Sequence, residues 1–406
     1  MLMLKALRTR ALLLLWTGQA LSAIGDEIYR VALIWLAVGL IGEDAGYLAA
    51  AQAAALFALS LVGGHWADRW DHRKTMIRVD LLRAAIVLAP VAAYYAGGVT
   101  LPVLVVMAVA VSGLGAFFDP ALQATLPDVS PDLETLQAAT GLMGTTVRLA
   151  RAVGPAFVGL LGPLLPMIHF FTLDALSFGV SALSVSRLPP SSAPPERPPA
   201  RGTLAQTLRA DFRDLRRRPV LRDLMLVRMM VSSLWGVSFS LGLALAVKAL
   251  APADVRAFGW IVACYGAGNV IGALAVGNIR RERPLLILFA GYVFLGAGFL
   301  AMGFCRGLAG LGAASLLAAV GGPVNDIPFF DYVQREFPVR KLAGVVRLKM
   351  AVETGALLLL TSASPPLFRA YGPQAVLSFC GACILALGLA GLIARAERRP
   401  PAFTGL

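Results

Sequence analysis

Charge is scarce in this 406-residue chain. Asp, Glu, Lys and Arg make up 15% of it, where a soluble domain carries roughly a quarter. Acidic residues are rarer than basic ones, 23 against 36, and there are three histidines and four cysteines. The histidines (His65, His72, His169) are scattered, and no HExxH, Walker lysine or nucleophile–base pair occurs. These absences argue against a metallohydrolase and against direct ATP drive. Cys264, Cys305, Cys380 and Cys383 fall in or beside apolar runs without neighbouring histidine. We read them as helix-packing residues rather than metal ligands, and expect no metal and no cofactor.

What fills the chain instead is apolar surface: 58% of residues are hydrophobic and the mean hydropathy is +0.75. A bilayer core of about 30 Å takes about 20 apolar residues per helix. Apolar spans run over 11–41, 46–66, 75–97, 101–123, 136–163 and 167–187, then over 221–249, 256–279, 284–304, 307–333, 341–368 and 372–395. Backbone groups in lipid must be satisfied within the segment, so each span is predicted to be a helix. The expected fold is an all-α integral membrane protein of twelve transmembrane helices. That leaves no room for a soluble catalytic domain, so we expect no enzyme. The run from residue 11 to Ile41 is too long for a signal-peptide core, and no cleavable leader is expected.

The net charge of +13 would suggest nucleic acid in a soluble protein. Here the basic residues lie in loops and read as topology signals, so no nucleic-acid partner is expected. One set of loops holds Lys5, Arg8, Arg10, Arg69, Arg73, Lys74, Arg78, Arg280, Arg281, Arg283, Arg335, Arg340, Lys341, Arg395, Arg398 and Arg399. The opposite set holds only Lys248, Arg256, Arg306 and Arg369. The asymmetry predicts a multi-pass protein of the bacterial inner (plasma) membrane with both termini cytoplasmic.

A proline-rich stretch, PPSSAPPERPP at 189–199, opens the central linker. Leu204, Leu208, Phe212 and Leu215 follow at helical spacing among Arg209, Arg213, Arg216 and Arg217, as in a helix lying on the membrane surface. The expected organisation is a six-helix bundle over 1–187, a cytoplasmic linker over 188–220, a second six-helix bundle over 221–395 and a cytoplasmic tail over 396–406. The halves echo each other: VRLARAV at 147–153 resembles VRLKMAV at 346–352, and Gln123 precedes Pro127 by four residues as Gln334 precedes Pro338. Duplicated six-helix halves form a known transporter architecture with the substrate path between them.

The segment GHWADRWDHRK at 64–74 resembles the signature loop of the major facilitator superfamily, Gly-x-x-x-Asp-Arg-x-Gly-Arg-Arg/Lys. Gly64, Asp68, Arg69, Arg73 and Lys74 match it; Asp71 replaces a glycine and His72 an arginine. The Asp form is similar to the macrolide-efflux and siderophore-exporter branch. So are GDEIYRVALIWLAV at 25–38, GAFFDPALQATLPD at 115–128 and FTLDALSF at 171–178. GPAFVGLL at 154–161 resembles a fifth-helix motif of antiporters through Gly154, Pro155 and Gly159. The resemblance implies a cytoplasmic latch built from the signature loop, with Asp119 as a partner, and a seal in helix 5. It also implies alternating access in a monomer, with helices 1, 4, 7 and 10 lining the path. On those helices stand Asp26, Glu27, Arg30, Asp119, Asn325 and Asp326, with Trp235 and Phe239 facing either cargo or lipid.

Charge at the bilayer centre costs at least about 2.5–3.5 kcal/mol and marks a cavity or a partner. Asp26, Glu27, Arg30, Arg148, Arg151 and Glu353 all fall inside apolar spans. Either they are self-paired structural charges, or a carboxylate such as Asp26 or Glu27 exchanges a proton as access alternates. Arg148 and Arg151 either counter those carboxylates or contact an anionic cargo. GAGNVIG at 266–272 lies within an apolar run and reads as small-residue helix packing rather than a phosphate loop. The expected function is secondary active transport, namely proton-coupled export of a hydrophobic or amphiphilic small molecule. The alternatives are a siderophore exporter or lysophospholipid flippase on the same fold, then a membrane enzyme or sensor.

Overall fold

The computed structural model describes residues 6–67, 71–189, 213, 215–252, 254–279, 282–336 and 339–396. Among them the chain is helical, with short connections. The helices are α1 (Arg10–Ile41), α2 (Ala45–Ala67), α3 (His72–Val87), α4 (Ala89–Tyr95), α5 (Leu101–Val129), α6 (Leu133–Leu161) and α7 (His169–Ser186). After the linker come α8 (Pro219–Val237), α9 (Leu243–Leu250), α10 (Val255–Gly277), α11 (Pro284–Phe304), α12 (Leu308–Glu336) and α13 (Val339–Ala396). The expected surface helix of the linker lies almost wholly outside the described residues.

Seven segments of the described residues are long and apolar enough to cross a membrane. Two of them, Arg10–Leu59 and Leu348–Ala394, are 50 and 47 residues long. At 1.5 Å per residue each would measure about 70 Å or more if straight, over twice a bilayer core. Each is instead turned back on itself. α1 ends at Gly42, which has φ 57°. The second turn, inside α13, is at Gly372, with φ 76° and ψ 164°. No atom would crowd a Cβ at residue 372, so it is the backbone conformation that calls for glycine there. The span expected over 75–97 is divided at Leu88, where Pro90 in the first turn of α4 lacks an N–H to continue the ladder of α3.

The helices pack in a consistent order. α1 lies against α6 and α7, α3 against α5 and α7, and α2 against α5. In the second half α11 lies against α12 and α13, α10 against α12, and α8 against α13. The most extensive contacts between the halves are α6 along α10 and α2 along α13. The first depends on missing side chains. A Cβ at Gly259 would lie 2.5 Å from the Gly159 nitrogen and 2.9 Å from the Pro155 carbonyl oxygen. One at Gly266 would overlap the Ala152 backbone and the Arg151 carbonyl. The glycine run at 266–272 therefore serves close helix approach, as its position within an apolar span predicts.

A leucine at Gly266 should lower stability by about 1–3 kcal/mol through overpacking. Thermal unfolding of the detergent-solubilised protein tests this. Gly144→Leu, where no neighbour lies within 4 Å, should melt near the parent; equal melting of the two variants would disprove the account.

Candidate functional site

α1 carries three charged residues, Asp26, Glu27 and Arg30, about halfway along its length. Glu27 is buried and accepts a hydrogen bond from Arg30 Nη1 at 2.7 Å. Arg151 Nε, on α6, lies 4.0 Å from the same carboxylate oxygen. The approach is possible because residue 154 has no side chain: a Cβ there would sit 2.6 Å from Glu27 Cβ and 3.0 Å from the Ile24 carbonyl. One carboxylate thus serves two guanidiniums. Their side chains stay 58% (Arg30) and 50% (Arg151) exposed, so both keep donors free for something else. Asp26 is part-exposed and has no ion pair among the described residues; Arg148, one turn before Arg151, is also part-exposed and unpaired among them. Of the expected motif residues, Gly154, Pro155 and Gly159 lie where α6 passes between α1 and α10, with Gly159 against the Trp260 ring.

The second half holds a matching but better balanced set. Arg228 on α8 donates to Asp326 Oδ1 at 2.6 Å, to Glu353 Oε1 at 2.8 Å and to Asn325 Oδ1 at 3.3 Å. Lys349 Nζ lies 2.8 Å from the other oxygen of Glu353. Arg228 also sits over the Phe329 ring, 4.3 Å from its centre. Two cations meet two carboxylates, and the Arg228 side chain is only 6% exposed. Asp326 is the open member, its side chain 53% exposed.

Between these sets stand three aromatic rings. Trp235 Nε1 donates to Tyr265 Oη at 2.6 Å. Trp235 stacks on Phe239, their centroids 5.6 Å apart, and Phe239 lies 4.4 Å from Tyr265. Tyr265 is next to Gly266, which packs on the Arg151 carbonyl, and Trp235 stands two turns after Arg228 on α8, so the rings adjoin both charged sets. A π-helical turn at Ser238–Gly242 interrupts α8 and α9 here; such turns are frequent at functional sites. The sequence singles out Trp235 and Phe239 but not Tyr265 or the turn.

A third set escapes sequence reading. Asp80 and Arg83 on α3 and Asp174 on α7 are buried inside the first half. Arg83 lies over the rings of Phe118 and Phe178, 5.3 Å and 5.5 Å from their centres. Its field reaches Asp26, Asp80, Asp119 and Asp174. Asp119, expected beside the signature loop, stands near Arg83 and makes no ion pair with Arg73 or Lys74 among the described residues. The detectable signal was the Asp80–Arg83 spacing of one helical turn within an apolar span.

Part of the signature loop is described. Gly64 lies in the last turns of α2, while Asp68 and Arg69 lie outside the described residues. Asp71 caps α3, accepting from the Lys74 N–H at 3.0 Å, and pairs with Lys74 Nζ at 3.3 Å. That backbone donor holds the Asp71 carboxyl below the usual range. Arg73 donates to the Ser186 carbonyl and, at 3.2 Å, to the Val185 carbonyl, satisfying the C-terminal end of α7.

The two halves close on one face. Asp44, in the turn after α1, pairs with Arg369 before Gly372. Trp35 stacks on Phe258 with centroids 5.3 Å apart, and Lys248 Nζ lies 5.8 Å from the Trp35 ring centre. A Cβ at Gly46 would be 2.9 Å from Pro365 and 3.0 Å from Leu241. Beside this contact a cavity of about 510 Å³ is lined by Tyr47, Leu48, Leu101, Val105 and the Asp44–Arg369 pair.

Residues 15–352 match the Major Facilitator Superfamily. The chain is 26% identical over 404 residues to the MFS-type transporter YfiS of Bacillus subtilis, covering 95% of this chain and 93% of that protein. It is 29% identical over 351 residues to the multidrug efflux pump Tap of Mycolicibacterium fortuitum, covering 82% and 83%. Over 179 residues it is 31% identical to macrolide efflux protein A of Streptococcus pyogenes, covering 42% and 43%. Among solved structures, a POT family transporter in complex with 5-aminolevulinic acid superposes with a TM-score of 0.75 at 12% identity, covering 96% of this chain and 97% of the other. The nucleoside transporter NupG gives 0.71 at 13%, covering 96% and 100%; at such identities the likeness is one of fold. The family match runs through the first half and most of the second: the chain belongs to the Major Facilitator Superfamily and is a membrane transporter, not an enzyme.

Proposed function

We propose that the protein is a proton-coupled exporter of amphiphilic small molecules, working by alternating access in the bacterial inner membrane. We count twelve crossings, taking α3–α4, α6 and α7 with the seven apolar segments and dividing the long ones at Gly42 and Gly372. We place the bundle boundaries at 1–187 and 221–395, both termini in the cytoplasm, and the working unit as a monomer. The Asp44 face is then the outer face, closed, and the site opens inward.

One observation carries the cargo reading: a part-open carboxylate, Asp326, near an aromatic trio, opposite two part-open guanidiniums. A cationic amphiphile fits it. Its charge would meet Asp326 and the ring faces; its hydrogen-bond acceptors would meet Arg30 and Arg151. Cargo and proton then compete for carboxylates lining one cavity, which is the logic of exchange. The efflux relatives support the direction. In the second reading the exposed Arg30 and Arg151 receive an anionic head, as in siderophore or lysophospholipid transport.

Accumulation of a cationic and an anionic dye in expressing cells separates these readings. We expect lower accumulation of the cationic dye, abolished by a protonophore. Asp326→Asn should weaken its export about tenfold or more, the worth of one charge-assisted contact. Export of only the anionic dye, lost in Arg151→Gln, would establish the second reading. Export that ignores the protonophore would remove the coupling claim.

The outer closure has its own test. Oxidising the Asp44→Cys/Arg369→Cys pair should stop export, and reduction should restore it, while each single variant is unaffected by oxidant. Continued export by the cross-linked protein would show that this face does not need to open.

A further inference from the structure

The sealed charges of the first half have no place in the cargo reading. Asp80 and Asp174 are wholly buried, whereas the Arg30, Arg151 and Asp326 side chains are half-exposed. Both Asp80 oxygens and Asp174 Oδ2 lack a hydrogen-bond partner, although Ser181 lies beside Asp80. Ser181 itself receives a hydrogen bond from Gln19 Nε2 at 3.0 Å. Arg83 Nε is likewise unpartnered, and Arg83 makes no ion pair within 4 Å among the described residues. Its guanidinium rests instead between the Phe118 and Phe178 rings and close to Gly115, where a Cβ would lie 2.6 Å from Nη2.

Charge balance sets the occupancy. Two enclosed carboxyls face one guanidinium, and an unpaired buried carboxylate is too costly to persist. A neutral enclosure therefore needs a proton on one of them. A protonated carboxyl would also give one of the orphaned oxygens a hydrogen to donate. The titratable groups around this enclosure are Asp119 from α5 and Asp26, Glu27, Tyr29 and Arg30 from α1; Asp119 and Arg30 are exposed, Glu27 is paired with Arg30, and the buried Tyr29 Oη is itself unpartnered. Asp26 on α1 is part-exposed. Next to it, Gly25 lets α1 approach α7 so closely that a Cβ would lie 2.7 Å from Asp174 Oδ1. Ser177 lies at the same contact, its Oγ 3.4 Å from Asp174 Oδ1.

We infer that Asp80 and Asp174, on either side of Arg83, form a proton-binding site enclosed in the first bundle and reached from the cavity by way of Asp26. This deepens the proton-coupled reading by moving the bound proton from the cavity wall into the bundle.

Infrared spectroscopy of the reconstituted wild-type protein and its variants tests the site without reference to any cargo. Acidification should raise a protonated-carboxyl C=O band that shifts in heavy water. Asp80→Asn or Asp174→Asn should remove most of it, while Asp80→Glu and Asp174→Glu should keep it at a shifted frequency. Arg83→Gln should carry the band to more alkaline buffer, because removing a neighbouring cation favours the protonated form. Gel filtration identifies any variant that fails to fold, and the Glu variants and Arg83→Gln then decide. A band unchanged in both Asn variants but lost in Asp26→Asn would place the proton at the cavity and overturn the inference. Protonophore-sensitive dye export, measured in parallel, tests coupling separately: indifference there, with the band assigned to Asp80 and Asp174, would sink the coupling and leave the site.

Discussion

The structure turns on Glu27. It is the one carboxylate held between Arg30 of its own helix and Arg151 of α6, and it lies under the missing side chain of Gly154. A charge this deep is tolerated because it is paired and close-packed. The same α6 then lies on α10 through Pro155, Gly159 and Gly259. The helix that steadies the buried charge of the first half is therefore also a helix that holds the halves together. Any relative movement of the halves along α6 must act on the Glu27 cluster.

The second half solves the same problem with the signs reversed. Aligning Val147–Val153 on Val346–Val352 sets Gly154 opposite Glu353. In the first half, a carboxylate on the first helix meets an arginine on the fifth beside the glycine. In the second, an arginine on α8 meets the carboxylate that stands in the glycine's place. Duplication kept the meeting of helices and exchanged the partners. The outcome differs in balance: Arg228 and Lys349 are matched by Asp326 and Glu353, whereas Arg30 and Arg151 share Glu27.

Much of this was legible in the sequence. The apolar spans are helical, because lipid forces backbone bonds inside the segment, but 75–97 and 221–249 are each interrupted and the last two spans share one helix kinked at Gly372. Glu27 with Arg30, and Glu353 with Lys349, follow from helical spacing alone. The pairing of Arg228 with Glu353 does not, since 125 residues separate them and only the packing of α8 on α13 joins them. Asp80, Arg83 and Asp174 were hidden for a different reason. Asp80 and Arg83 meet Asp174 only because α3 packs on α7, which no spacing within one helix reveals. Arg73 shows the same limit: as a loop cation its partner was open, and the structure gives it the carbonyl end of α7.

The helices that fall short of a fully apolar crossing, α3, α6 and α7, are those that carry Asp80 and Arg83, Arg148 and Arg151, and Asp174. All three belong to the first half. After the linker, the described helices fall within five segments that are long and apolar enough to cross a membrane. In the second half Arg228 and Lys349 meet Asp326 and Glu353, with Asp326 half-exposed, whereas the first half encloses Asp80, Arg83 and Asp174 without an ion pair among the described residues. Unmatched buried charge is a cost to stability that packing alone would remove, since apolar residues of similar volume are commonly as stable or better. Its presence in one half, next to a balanced counterpart in the other, is the asymmetry on which the inferred proton site of the first bundle rests.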